Sequence, residues 1–271
     1  MPILWGLGFN FLKGIYKMKT QGMPFALSIA GFDPSGGAGI LADIKAFEYF
    51  GVYGQSVCTA LTIQNENTFL KPGFLSWESI LEQLEVLHQV RHYDYIKIGL
   101  IPSAAILQKL LAYLREKNPN PFIIWDPIVS ASAGYHFFET CSAESFYPHL
   151  SKIDLITPNQ DEFIYLGLGL ADSRQEIKIG EEFSVLLKGG HQEGALATDT
   201  LWFQGEKHFF SAPRLIGKSK HGTGCTLSSA ILANLTLGKS LLEAVRVAKD
   251  YLSLYLQSGE SLLGFPKHSD L

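Results

Sequence analysis

The chain has 271 residues, of which 46% are hydrophobic, and a formal net charge of −4. This length and apolar content are enough for one large α/β core. The acidic balance leaves no general basic surface, so neither nucleic acid nor an anionic membrane is an expected partner. Cys58, Cys141 and Cys225 are widely spaced and lack CxxC spacing, which argues against a disulfide framework or a zinc site and agrees with a reducing cytoplasm.

The first 22 residues precede the first predicted strand and match no targeting segment. Their apolar stretch, residues 4–12, has no basic residue before it and is too short to cross a bilayer. We predict that residues 1–22 are a peripheral extension, or that Met18 or Met23 is the true start. Residues 23–271 are expected to form a single cytoplasmic domain.

Apolar stretches typical of strands alternate with helical patterns from residue 25 onwards. The pattern predicts strands over residues 25–30, 56–63, 93–98, 122–126, 153–156 and 185–187, and a hairpin around residues 204–206. Helical spacing predicts helices over residues 40–50, 77–87, 105–115, 226–235 and 241–256, with Ser76 and Asn159 as N-caps. This alternation predicts an α/β fold with a mostly parallel sheet covered by helices on both faces.

Glycines are concentrated in residues 31–39, Gly-Phe-Asp-Pro-Ser-Gly-Gly-Ala-Gly, here called the glycine turn. The turn joins the first predicted strand to a helix, a layout that places ligands at the carboxyl end of a parallel strand. Its spacing matches neither a Walker A motif nor a dinucleotide-binding fingerprint, and a tight turn without a ligand is the alternative. Asp43 lies in the first turns of the following helix, where a solvated carboxylate would be its ordinary role.

Polar residues follow several predicted strands. Gln64 and Asn65 carry amides that suit a heterocycle's donors and acceptors, although amides also cap loops. Asp126 ends a strand, where it can hold Mg²⁺ or begin an Asp-Pro turn. Residues 130–134 are small, as in a flexible lid. Lys188 precedes two glycines and can reach a phosphate, although surface exposure is the commoner fate of a lysine.

A second glycine-containing segment, His221-Gly222-Thr223-Gly224-Cys225, leads into a predicted helix and is here called the anion loop. Gly222 and Gly224 allow the backbone to approach a ligand, and the helix would direct unpaired N–H groups at an anion. Cys225 would lie at the positive end of the helix dipole, which favours the thiolate. The alternative is a buried cysteine beside a glycine turn.

These motifs together resemble the hydroxymethylpyrimidine and phosphomethylpyrimidine kinases of thiamine biosynthesis, members of the ribokinase-like superfamily. The resemblance extends from about residue 25 to the last helix, and its most specific parts are residues 30–39 and 221–229. It implies a three-layer α/β/α fold that uses ATP and Mg²⁺. It also implies phosphorylation of 4-amino-5-hydroxymethyl-2-methylpyrimidine, and then of the monophosphate to the pyrophosphate.

The same resemblance implies roles for individual residues. The pyrimidine would lie near Gly31, with Asp43 and Gln64 bonding its ring nitrogens and amino group. The nucleotide phosphates and the metal would lie near Asn159, Lys188 and Glu162, and Asp126 matches a metal-side aspartate. The anion hole and the catalytic position match Gly222, Thr223, Gly224 and Cys225.

Two departures and two alternatives accompany the resemblance. Residues 166–185 look short for the family's usual helix, and the N-terminal extension matches nothing in the family pattern. A pyridoxal kinase is the nearest alternative, but such relatives often place a second cysteine in the lid, and residues 130–132 contain none. A non-catalytic pyrimidine sensor would lack some of the residues expected to bind phosphate.

A homodimer is expected by resemblance alone.

Overall fold

The computed structural model describes residues 22–131, 134–137, 143–168, 179–190 and 194–266. All but the last residue of the predicted extension therefore lies outside the described residues. So do Ser132 and Ala133 of the predicted lid, Cys141, and much of the stretch predicted to be short. The division into an extension and one domain stays a prediction.

Nine strands and seven helices form the described part of the chain. The strands are β1 (Phe25–Phe32), β2 (Tyr53–Gln64), β3 (Phe69–Phe74), β4 (Tyr95–Ile98), β5 (Phe122–Trp125), β6 (Leu155–Ile156), β7 (Ser184–Leu187), β8 (Leu196–Phe203) and β9 (Glu206–Pro213). The helices are α1 (Gly39–Tyr49), α2 (Trp77–His88), α3 (Ala104–Lys117), α4 (Tyr147–Leu150), α5 (Gln160–Tyr165), α6 (Thr223–Thr236) and α7 (Leu241–Gln257), with a 3₁₀ turn at Ala143–Ser145.

All nine strands belong to one sheet, in the order β3-β2-β1-β4-β5-β6-β7-β8-β9. Six neighbouring strands pair in parallel: β2, β1, β4, β5, β6 and β7. The outer strands β3, β8 and β9 pair antiparallel. The predicted mostly parallel sheet is thus confirmed. After β1 the chain moves to one side for β2 and returns to the other side for β4, so the connections diverge at β1. Ligands bind α/β sheets outside the carboxyl ends of strands at such a switch point.

The side chains of the central strands alternate between two buried cores. In β1, Leu27 and Ile29 belong to one core, which contains the apolar faces of α2 and α3, and Ala26 belongs to the other. The second core contains α6, α7 and the buried face of α1. This period of two, with helices against both faces, is the three-layer α/β/α arrangement that the resemblance implied.

The local signals for helix ends are also present. Ser76 accepts a hydrogen bond from the Ser79 backbone N–H, and Asn159 forms a capping box with Glu162. The hairpin of β8 and β9 agrees with the prediction around residues 204–206. None of the helices in the described ranges is long and apolar enough to cross a membrane.

The edge strand β3 was not predicted. It contains Pro72 and Gly73, and most of its residues are exposed. A proline cannot donate to the ladder and is tolerated at a sheet edge, where one side of the strand has no partner strand. Pairing with β2 therefore creates β3 despite its weak sequence signal.

Candidate active site

A cavity of about 370 Å³ opens beyond the carboxyl ends of the parallel strands. Gly31 and Gln64 belong to the ends of β1 and β2, while Asp126, Asn159 and Lys188 follow β5, β6 and β7. The cavity is lined by ten of the eleven residues that the sequence assigned to the site: Gly31, Gln64, Asp126, Asn159, Glu162, Lys188, Gly222, Thr223, Gly224 and Cys225. Segments far apart in the chain are therefore brought together at one edge of the sheet.

A hydrogen bond between side chains connects the glycine turn to the anion loop. Asp33 accepts hydrogen bonds from the backbone N–H groups of Ser35 and Ala38 and, at 2.9 Å, from His221 Nε2. Burial alone would raise the pKa of Asp33, but the hydrogen bond from His221 and those from Ser35 and Ala38 hold it below its ordinary value. This contact links two loops that are 188 residues apart in sequence.

Asp33 and His221 also line the cavity, although neither was assigned to the site. The sequence feature that could have indicated them is that each lies inside a glycine-containing loop. Nothing in the local pattern indicates that the two side chains meet, because that contact depends on how the loops pack.

Gly222 must be a glycine because of both its conformation and its surroundings. It is the N-cap of α6 and has a left-handed backbone with φ of 73°. A Cβ at this position would collide with the carbonyl oxygen of Gly37 in the glycine turn. The first turn of α6 then faces the cavity, where its unpaired N–H groups and the helix dipole suit an anion.

Cys225 lies in that first turn and is 6% exposed. Burial raises the pKa of its thiol, and Asp126 and Asp43 add to the effect. Lys97 and the Gly39 backbone oppose them, and the resulting pKa is about 12. The expectation that the helix end favours a thiolate is therefore wrong for the protein without ligands, because removal from water outweighs the dipole.

Two carboxylates flank a partly buried lysine at the cavity. Lys188 Nζ lies 2.9 Å from Asp126 Oδ1 and 3.6 Å from Glu162 Oε2. Burial would lower the pKa of Lys188, but the two carboxylates raise it, so the ammonium stays charged. Burial would raise the pKa of Asp126, but Lys188 and Lys97 hold it below its ordinary value. Burial raises the pKa of Glu162.

The anion loop directly adjoins this charged group. A Cβ at Gly224 would lie 3.1 Å from Lys188 Nζ and 3.6 Å from Asp126 Oδ2. The backbone of the loop, the ammonium of Lys188 and the carboxylate of Asp126 thus converge on one small region. Such a group can bind phosphate through the N–H groups and the lysine, and a divalent cation through the carboxylates.

The turn after Lys188 is held in place by residues from β8, from α7 and from the segment just after β9. The Gly189 backbone N–H donates to Asp199 Oδ1, and Asp199 Oδ2 lies 2.7 Å from Lys249 Nζ. The guanidinium of Arg214 donates to the carbonyl oxygen of Gly190. These contacts fix the direction in which the chain leaves β7 and so the position of Lys188.

Asp43 is the one predicted site residue that does not line the cavity. Its side chain is fully buried and pairs with Lys97 at 2.7 Å. Ser28 and Ser229 donate hydrogen bonds to its two carboxylate oxygens. The prediction that Asp43 bonds the substrate ring is therefore wrong, and so is the alternative of a solvated carboxylate.

The fold and the cavity define a small-molecule kinase of the ribokinase-like class. Comparisons with known proteins identify the family within that class. The model of the phosphomethylpyrimidine kinase family matches residues 33–264. The chain belongs to that family. A hydroxymethylpyrimidine/phosphomethylpyrimidine kinase of Aquifex aeolicus is 37% identical over 246 residues, which cover 88% of this chain and 96% of that protein.

Solved structures agree with the fold. A phosphomethylpyrimidine kinase from Clostridium difficile 630 has a TM-score of 0.66 at 31% identity, covering 85% of this chain and 98% of that one. A pyridoxal kinase from Staphylococcus aureus in complex with ADP has a TM-score of 0.77 at 26% identity, covering 91% of this chain and 94% of that one. The resemblance that the sequence motifs indicated is thereby confirmed.

Proposed function

We propose that this protein is an ATP-dependent kinase that phosphorylates 4-amino-5-hydroxymethyl-2-methylpyrimidine and then its monophosphate. The observation that carries the proposal is the convergence of the anion loop, Lys188 and Asp126 on one cavity that Gly31 and Gln64 also line. One part of the cavity is suited to phosphate, and the other offers a backbone and an amide to a heterocycle. The identity with the Aquifex aeolicus kinase supports the choice of pyrimidine.

In this proposal, the pyrimidine lies beside Gly31 and is bonded by Gln64. The Gln64 amide provides both donors and an acceptor, which match an amino group and a ring nitrogen. A Cβ at Gly31 would lie 3.1 Å from the Leu100 side chain, so this part of the cavity has little room for a larger residue. Asp43, buried behind the glycine turn, has no part in ring recognition.

The phosphates of ATP would lie at the anion loop, near Lys188 and Asn159. Asp126 and Glu162 would hold Mg²⁺, which neutralises charge on the transferring phosphate when bound. The donor set fits this ion, because magnesium is usually bound by one or two carboxylates together with waters and phosphates. Among the described residues no group of three or more metal-binding side chains occurs.

In the first transfer, the hydroxymethyl oxygen forms a bond to the γ-phosphorus while the bond from that phosphorus to the β–γ bridging oxygen breaks. The N–H groups of the anion loop and the ammonium of Lys188 stabilise the charge on the moving phosphoryl group. Cys225 lines the cavity and, as a thiolate whose own proton has passed to the solvent, would receive the hydroxyl proton. In the second transfer the acceptor is a phosphate oxygen, which needs no strong base.

Pyridoxal phosphorylation is the second candidate, because the pyridoxal kinase has the higher TM-score of the two solved structures compared. Ser130 and Ala131 line the cavity in the lid segment, where the sequence places no cysteine. A non-catalytic sensor is the third. The presence of Asp126, Lys188 and the anion loop around one cavity argues against it.

A substrate panel tests the three candidates together. Purified protein with ATP and Mg²⁺ is given the pyrimidine alcohol, its monophosphate or pyridoxal, and ADP formation is measured. We expect turnover with both pyrimidines and a much lower kcat/KM with pyridoxal. The reverse preference would identify a pyridoxal kinase, and tight pyrimidine binding without turnover would identify a sensor. The expected homodimer stays a prediction, which sedimentation velocity can test.

A further inference from the structure

Four elements meet at a buried ion pair beneath the cavity. Lys97 of β4 and Asp43 of α1 are both fully buried. Lys97 stands between Ile96 and Ile98, which belong to the core that contains α2 and α3, so its own side chain faces α1 and α6. Burial would lower the pKa of Lys97, but Asp43, together with Cys225 and Asp126, raises it above its ordinary value. The lysine is therefore charged.

Both oxygens of the Asp43 carboxylate join α1 to other elements. Ser28 Oγ of β1 donates to Oδ2 at 2.6 Å, and Ser229 Oγ of α6 donates to Oδ1 at 2.6 Å. Lys97 Nζ of β4 lies 2.7 Å from Oδ1. One carboxylate thus connects α1 with two central strands and with the helix that carries the anion loop.

The position of Ser229 on α6 relates this contact to the anion loop. Cys225 and Ser229 are four residues apart on α6, and Gly39 and Asp43 are four residues apart on α1. Residues at this spacing lie above one another on the same helix face. Ser229 bonds Asp43, and one turn closer to the cavity the Gly39 backbone is near enough to the Cys225 thiol to lower its pKa. The two helices therefore contact each other at two successive levels.

We propose that Asp43, held by Lys97, is a positioning residue that fixes the first turn of α6, and with it the anion loop, against the glycine turn. The contact with Ser229 fixes the position of α6 along its axis, and its rotation about that axis, relative to α1. A shift there would move the loop's N–H groups relative to Lys188 and Asp126. Because Gly31 and Gln64 are on β1 and β2, the pyrimidine side of the cavity would be unaffected. The proposal rests on the proposed function only for its kinetic readout.

Ser229→Ala tests the contact, with Thr236→Val as the matched control. Thr236 also carries a hydroxyl on α6, but it bonds the Leu232 carbonyl at the far end of the helix. We expect Ser229→Ala to lower kcat for both transfers by about tenfold or more, since small misplacements of reacting groups have effects of this size. The KM for the pyrimidine should be unchanged, and Thr236→Val should retain the kcat of the unmodified protein.

Two double variants separate positioning from simple stabilisation. Asp43→Leu with Lys97→Met removes both charges and leaves Ser229 without an acceptor. Asp43→Asn with Lys97→Met also removes both charges but keeps an amide oxygen for Ser229. Replacing both partners of a buried ion pair by neutral groups is often tolerated, so both proteins should fold. We expect the first variant to lose kcat and the second to retain most of it, at a temperature where unfolding curves show both to be folded.

A spectroscopic measurement makes the test independent of turnover. The backbone amide resonances of Gly222 and Gly224 should move in Ser229→Ala and stay in place in Thr236→Val. Unchanged resonances and an unchanged kcat in Ser229→Ala, or a full kcat in the variant with leucine at position 43, would overturn the proposal. Moved resonances in a protein that phosphorylates no pyrimidine would instead uphold the positioning role and refute the proposed function.

Discussion

At the scale of single residues, the charge state of Cys225 determines the expected pH dependence of the first transfer. A thiol with a pKa of about 12 is almost entirely protonated at neutral pH, and its thiolate fraction keeps rising well above pH 9. A thiol of ordinary pKa, about 8.5, would approach a plateau there. We therefore expect kcat for the pyrimidine alcohol to increase steadily from pH 7 to 9.5, as stopped assays at each pH would measure.

The monophosphate is the internal control for this prediction, because its phosphate oxygen needs no strong base. Its kcat should change much less over the same pH range. Cys225→Ala should likewise slow alcohol phosphorylation more than monophosphate phosphorylation. Equal losses in both steps would count against a role in proton transfer and in favour of a shared structural role.

Lys188 allows a second prediction at this scale. Lys188→Met would remove the cation that lies 2.9 Å from the buried carboxylate of Asp126 and would take one donor from the phosphate site. We expect kcat/KM for ATP to fall by about a hundredfold or more, as when a positioned donor to a transferring group is lost. Lys109→Met is the control, because Lys109 is an exposed residue of α3 above the ring of Trp77. A similar loss in both variants would refute the assignment.

At the scale of elements, the start of α6 depends on the backbone of Gly222. Gly222→Ala would require a left-handed alanine, and its Cβ would collide with the Gly37 carbonyl oxygen of the glycine turn. The loop would have to move away, and the anion-binding N–H groups would move with it. We expect both transfers to slow by about a hundredfold.

Gly238 provides a matched control for this prediction. Its φ of 83° is close to that of Gly222, but an added Cβ there meets nothing within 4 Å. Gly238→Ala should therefore lose about 1 kcal/mol of folding stability through backbone strain and keep its kcat. If the two alanine variants had equal kcat, close packing of the two loops could not be the reason for glycine at position 222.

At the scale of the whole molecule, the contact between Asp33 and His221 joins loops from opposite ends of the described chain. The pKa of Asp33 is lower in the folded protein than its ordinary value of about 3.9. The group therefore contributes stability at pH values above 3.9, and that contribution is lost as the pH falls towards the lowered folded value. Asp33→Asn should be less stable at pH 7 and should lose less stability on acidification.

Urea unfolding curves between pH 7 and pH 2.5 would measure this difference. Asp94→Asn is a suitable control, because Asp94 is exposed. Its stability should follow that of the unmodified protein throughout. If Asp33→Asn and the unmodified protein lost the same amount of folding stability on acidification, the contact between the two loops would contribute nothing to pH-dependent stability.

The sequence by itself predicted the type and chain order of most strands and helices, and ten of the eleven residues that it assigned to the site line the cavity. These features depend on local signals: apolar periodicity, caps such as Ser76 and Asn159, and glycines at turns that other residues cannot form. The parallel α/β arrangement then brings the strand ends to one edge, so polar residues at those ends meet without further information.

Only the tertiary structure decided the roles that depend on burial and on packing between distant segments. Asp43 has the local pattern of a first-turn carboxylate, but its partners Lys97, Ser28 and Ser229 come from three other elements and remove it from the cavity. Cys225 lies at a helix end that favours a thiolate, but its burial determines the protonation state. Desolvation and long-range contacts arise only when the chain is packed, and local sequence patterns do not encode them.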